Sequence, residues 1–202
     1  MQPSLVCPVR QASKSWRIRA SVNKTYKEIA VKTVIGVVAC ALALSGLALR
    51  AQGVNDAQIA HIVVTANQVD IDAGKLAQKM GSNAEVKKFG SLMVTDHTGV
   101  NKQAVALATK LKVKPEDNDT SKSLAAGGTK NIANLKTLKG AEFDKAYIDQ
   151  EVAYHTAVIE AVDKTLIPES KNEELKALIT KVRPAFVAHL DHAKKIQASL
   201  AK

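Results

Sequence analysis

Four long stretches of this chain place apolar residues three or four positions apart, and in each a titratable side chain interrupts the apolar stripe near its middle. That spacing puts one face of a helix inward. No comparable stretch alternates with the period of two that a strand needs. The chain is therefore read as all-α, an up-and-down four-helix bundle with helices over about 55–80, 83–111, 141–166 and 171–201. The stripes are Ile59, Val63, Ala66, Asp70, Ala73, Ala77 and Met80; then Val86, Phe89, Met93, His97, Val100, Ala104 and Leu107. The third is Ile148, Val152, His155, Ile159, Val162 and Leu166, and the fourth Leu175, Leu178, Val182, Phe186, His189, Ala193, Ile196 and Leu200.

The helix ends carry local signals. Gly81 stops the first helix, and Ser82 with Glu85 forms a capping-box pattern for the second. Ser170 with Glu173 repeats that pattern before the fourth, while Pro115 and Pro168 mark the ends of the second and third. Residues 115–128 are rich in Asp, Ser, Thr and Gly and read as a long surface loop, followed by a short helix over 129–138. The short connections make helices one and two, and three and four, antiparallel neighbours. The long connection either crosses the end of the bundle or runs along its length. Gly74 suits closely approaching helices, and Gly90 and Gly99 inside the second helix, at about 1 kcal/mol each against Ala, imply a packing or site reason. Pro184 should kink the fourth helix.

Antiparallel helices of similar length bring their midpoints together, so Asp70, His97, His155 and His189 fall at one depth. Glu151 lies one turn before His155, and His192 about one turn after His189, which extends the set. Asp96 points about 100° away from His97 and is placed as a supporting or surface group; His61 belongs to an end of the bundle. Imidazole with carboxylate suits a single iron, manganese or zinc ion, and bundle cores build such sites from facing helices. The di-iron pattern, with Glu three residues before His, is missing: Val94, Val152 and Phe186 stand there. The same residues bonded only to one another would instead form a metal-free layer that fixes helix register. A binding or structural protein and a metal-dependent redox enzyme both fit, so enzymatic activity stays open.

Composition narrows the alternatives. Residues 1–50 hold eight Lys/Arg, one acid and both cysteines, Cys7 and Cys40. An uncharged run over 33–49 follows Lys24, Lys27 and Lys32, which reads as a secretory signal within a leader over about 1–51, cleaved near Ala51. Uncleaved, it would be a short membrane anchor; a lipobox around Cys40 is the weaker reading. An exported, periplasmic or envelope-associated protein is expected either way. The net charge of +10 is mostly leader: beyond residue 50 there are 21 basic and 18 acidic residues. No basic stripe interleaved with aromatics remains, so no nucleic-acid partner is expected. Protein partners are left open, a partner-binding role for the polar loop over 115–128 being a third reading, and the membrane is met only through the leader, if it is uncleaved. The region beyond residue 50 has no thiolate or disulfide, and no glycine-rich phosphate loop.

The run Phe89-Gly-Ser-Leu-Met-Val-Thr-Asp96-His97-Thr98, then Phe143-Asp-Lys-Ala-Tyr147 leading to His155, then Arg183-Pro184 followed by His189-Leu190, resembles the domain of unknown function family 4142. The resemblance covers about 55–200 and implies an exported bacterial protein with a ferritin-like helical bundle. It carries over His97 with Asp96, His155 and His189. The chain departs from the family pattern in two places: Asp70 and Asp72 stand in the first helix where Glu is expected, and Tyr154 replaces an acid before His155. The resemblance implies the fold; a ferritin-like shape does not by itself imply iron storage.

Overall fold

The computed structural model describes residues 53–202, so the readings of the leader, its apolar run and its cysteines lie outside the described residues. Every regular element among the described residues is helical: α1 (Asp56–Met80), α2 (Ala84–Lys110), α3 (Asp119–Leu135), α4 (Gly140–Ala161) and α5 (Glu173–Leu200). No described helix is long and apolar enough to cross a membrane. From α4 the chain continues through a π-helical turn, Val162–Leu166, and a last turn, Ile167–Glu169. Helical structure thus runs past Pro168, which lies in the short turn that follows the π-helical one.

Asparagines start four of these helices. Asn55 and Asn118 form full capping boxes with Gln58 and Ser121; Asn83 and Asn172 accept from the first-turn N–H groups of α2 and α5. The serine capping boxes expected at Ser82 and Ser170 are thereby displaced by one or two residues. The reason lies across the fold. Asp144 on α4 accepts from the Ser82 and Asn83 N–H groups at 2.9 and 2.8 Å and from the Ser82 hydroxyl. Asp56 on α1 accepts from the Lys171 and Asn172 N–H groups at 2.9 and 3.0 Å. Each antiparallel pair thus holds the loop of the other.

Those contacts also orient the helices. The start of α4 meets the turn after α1, and the start of α1 meets the turn before α5, so α1 and α4 are antiparallel. α1 packs against α2 and α4, and α5 against α4 and α2. The long connection therefore runs along the length of the molecule. It begins beside the start of α1, where the Glu116 N–H donates to the Ala57 carbonyl at 3.1 Å, and α3 then climbs along α1.

Here the structure corrects the sequence reading: the loop expected over 115–128 is helical from Asp119, and the short helix becomes one of 17 residues. Its polar composition conceals a stripe of Leu124, Gly128, Ile132 and Leu135 at helical spacing. Leu124 joins the cluster around Ile59 and Leu166, and Leu135 and Ile132 join the one around Phe89 and Tyr147. Gly128 allows the approach, since a Cβ there would stand 2.8 Å from Val69 Cγ2.

Two glycines set the distance between α1 and α2. A Cβ on Gly74 would lie 2.7 Å from the Gly90 carbonyl oxygen, and one on Gly90 would lie 2.8 Å from the Gly74 oxygen. Gly99 has no such role, with nothing within 4 Å of an added Cβ. α5 runs through Pro184 as one helix.

Candidate metal centre

The four helices bring Asp70, His97, His155 and His189 to one level. All four are buried, with 1–3% of their surface exposed. The three imidazoles form a nearly equilateral triangle, their ring centroids 5.3, 5.5 and 5.7 Å apart. One nitrogen from each ring lies within 4.8 Å of the other two. Asp70 and Glu151 each place a carboxylate oxygen within the same distance of one another and of a His155 nitrogen. His155 is thus common to both groups.

Each ring is held at one nitrogen by an acceptor. Asn67 donates its amide to the Val63 carbonyl at 2.8 Å and turns its Oδ1 to His97 Nδ1 at 2.6 Å. His155 Nδ1 meets the Glu151 backbone carbonyl at 3.1 Å, and His189 Nε2 meets Asp96 Oδ2 at 2.9 Å. Because all three partners accept, these nitrogens carry the protons and the opposite nitrogens carry lone pairs. Those opposite atoms, His97 Nε2, His155 Nε2 and His189 Nδ1, have no hydrogen-bond partner, whereas Glu151 Oε2 lies 3.4 Å from His155 Nδ1. Asp70 Oδ2 stands 3.5 Å from His97 Nε2. Histidine ligands of metals are oriented in the same way, by a partner on the nitrogen away from the ion.

The electrostatics keep His97 and His189 neutral. Burial, followed by the neighbouring His155 and His189, holds His97 down to about 2 from an ordinary 6.5. Burial also lowers His189, although its bond to Asp96 opposes this. Asp70 moves the other way: burial first, and then the Glu151 carboxylate, raise it well above its ordinary value. An unfolded imidazole takes up a proton below about 6.5, and the folded His97 and His189 resist it. Their contribution to stability is therefore present above that pH and declines as pH falls; the raised Asp70 works in the opposite direction. Nitrogen NMR of the imidazoles should show His97 as the neutral Nδ1–H tautomer at pH 5, with no change from pH 8. A cationic His97 signal at pH 5 would contradict this environment.

The surroundings shape the site further. Phe186 stacks on His97 with ring centroids 5.4 Å apart and planes within 2°. The Tyr147 hydroxyl is buried without a partner, and burial with the nearby Glu151 and Asp70 carboxylates pushes it upward. Tyr154 donates instead to the Ala66 carbonyl at 3.1 Å. Below the layer lies a void of about 30 Å³ bounded by His97, Phe186 and aliphatic side chains.

Of the residues singled out in the sequence, Asp70, His97, Glu151, His155 and His189 converge. His192 does not: its ring stands edge-on to Phe89 at 5.3 Å, because its place on α5 turns it towards the α2 start. Asp96 supports His189, and His61 faces Asp117 at 3.3 Å. The sequence reading missed Asn67. Its position four residues after Val63 and three before Asp70 put it within reach of the inward face, and a stripe one residue wider would have included it.

A profile described as "Domain of unknown function (DUF4142)" matches residues 44–196. No curated protein matches the chain significantly. Among solved structures, the chain is similar to one titled "CopM in the Cu(II)-bound form", with a TM-score of 0.58 and 15% identity over 73% of this chain and 98% of that one. At that identity the likeness is one of fold.

Proposed function

This chain belongs to the DUF4142 family, and we propose that it is an exported protein with a ferritin-like four-helix bundle that binds one divalent transition-metal ion at His97, His155 and His189. The observation that carries this reading is the set of three buried imidazole nitrogens, each without a protein partner and each opposite a nitrogen fixed by an acceptor. A purely structural layer is the competing account. It would leave at least His155 Nε2 and His189 Nδ1 without a protein donor, at about 1–3 kcal/mol each. Whole domains are stable by only about 5–15 kcal/mol, so such a layer would be a poor way to fix register. An ion bonded to the three nitrogens removes most of that penalty.

The donor set indicates the ion. Three imidazoles with a carboxylate suit copper(II), zinc, iron and manganese, and copper binds a given site most tightly among the divalent series. The structural neighbour whose title names copper(II) agrees with this preference. Asp70 or Glu151 would complete the coordination, with Asp70 giving up its proton. The uncharged run over 33–49 behind Lys24, Lys27 and Lys32 supports export. Together these features describe a holder or buffer of metal outside the cytoplasm.

Thermal melting of the full chain in the presence of each ion is the test. Free ion at about 100 times its dissociation constant adds about 2.7 kcal/mol, which raises Tm by roughly 5–10 °C for a domain of this size. The expected order is copper(II) above zinc above manganese. No upward shift with any of these ions would overturn the reading.

A further inference from the structure

We propose that the cavity framed by α1, α3 and α4 is the route by which the ion reaches the three histidines, with Asp70 and Glu151 as the first ligands it meets. This rests on the metal-binding reading and adds to it a direction and an order of contacts. The cavity has a volume of about 210 Å³ and is walled by Ser123, Gly127 and Asn131 of α3 and by Gln150 of α4. Asp70 and Glu151 also line it, although only 3% and 2% of their surfaces are exposed. Glu151 Oε2 lies 3.4 Å from His155 Nδ1, so the carboxylate borders both the cavity and the histidines. An ion entering here exchanges its waters for carboxylate oxygens before it leaves the aqueous side, which limits the desolvation penalty of an isolated charge. His155 then offers the next contact, because it lies within 4.8 Å of both carboxylates and of the other two histidines.

The opposite side of the layer offers no such path. The void there holds about 30 Å³, and apart from Asn67, Asp70 and His97 its wall is apolar, including Val100, Val162 and Leu178. That is space for about one water, and a hydrated divalent ion needs several. The cover on the α3 side carries two adjacent glycines. Gly127 and Gly128 each lower helix stability by about 1 kcal/mol against Ala, and low local stability favours opening.

The test uses copper(II) or zinc salts with the full chain and stopped-flow competition against a chromophoric chelator. Asn131→Trp and Gln150→Trp narrow the cavity from two different helices without touching a proposed ligand. Each should slow metal uptake at least tenfold and leave the final metal-to-protein ratio unchanged. Uptake at the unmodified rate in either folded variant, or lost capacity in place of lost rate, would overturn the route. Should one tryptophan prevent folding, as circular dichroism would show, the other wall decides. Failure of the unmodified chain to take up metal would overturn the metal-binding reading itself, which is a separable result.

Discussion

Replacing His155 by alanine is expected to weaken metal binding by more than about 100-fold while the metal-free protein stays folded. Loss of a residue that merely orients a ligand already lowers affinity about 10- to 100-fold, so loss of a ligand should exceed that range. His155 carries the most because it belongs both to the imidazole triangle and to the group with Asp70 and Glu151. The metal-free fold tolerates the change, since the alanine also removes a buried nitrogen that no protein group satisfies. Chelator competition gives the affinity and far-ultraviolet circular dichroism the fold. His192→Ala is the matching control. It lies about one helical turn from His189, yet its ring rests on Phe89 away from the cluster, so affinity should be unchanged. Equal losses in the two variants would show that the histidine triangle is not where the ion sits.

The second large effect concerns the framework. Gly90→Val should destabilise the fold by about 3 kcal/mol or more, the upper part of the range for overpacking. The added Cβ would stand 2.8 Å from the Gly74 oxygen and 2.9 Å from the Ala77 Cβ. The first of these is backbone and cannot swing aside, so α1 and α2 must separate. Asn67 and Asp70 ride on α1 and His97 on α2, and the 2.6 Å contact between Asn67 and His97 would open with them. Gly99→Ala provides the contrast, since nothing lies within 4 Å of its Cβ; there alanine should stabilise by up to about 1 kcal/mol. Urea denaturation of the three proteins measures both. A Gly90→Val protein as stable as the parent would contradict the close approach of the two helices.

The four long helices were legible because each buries a stripe about 100° wide that recurs at helical spacing, and the common depth of Asp70, His97, His155 and His189 followed from antiparallel geometry. What sequence spacing could not supply was contact across helices. Asp96 points away from the stripe of its own helix, and only the rotation of α5 beside α2 brings His189 to it. His192 looked equivalent to His189 by spacing and was separated from it by the Phe89 ring. The segment before Gly128 read as loop because Asp, Ser, Thr and Gly dominate it, while its helical stripe needs the groove beside Val69 to become useful. Serines that matched a capping pattern instead bond to Asp144 or lie beside Asp56, both supplied by distant parts of the chain.

X-ray absorption at the metal edge of the copper(II)- or zinc-loaded full chain tests the central claim most directly. Histidine coordination gives a nitrogen shell at about 2.0–2.1 Å with outer imidazole scattering. The account predicts about three imidazoles per ion and one ion per chain, with that signature lost when His97, His155 and His189 are replaced together by alanine. A shell of oxygen or sulfur without imidazole, or an unchanged spectrum in the triple variant, would contradict it.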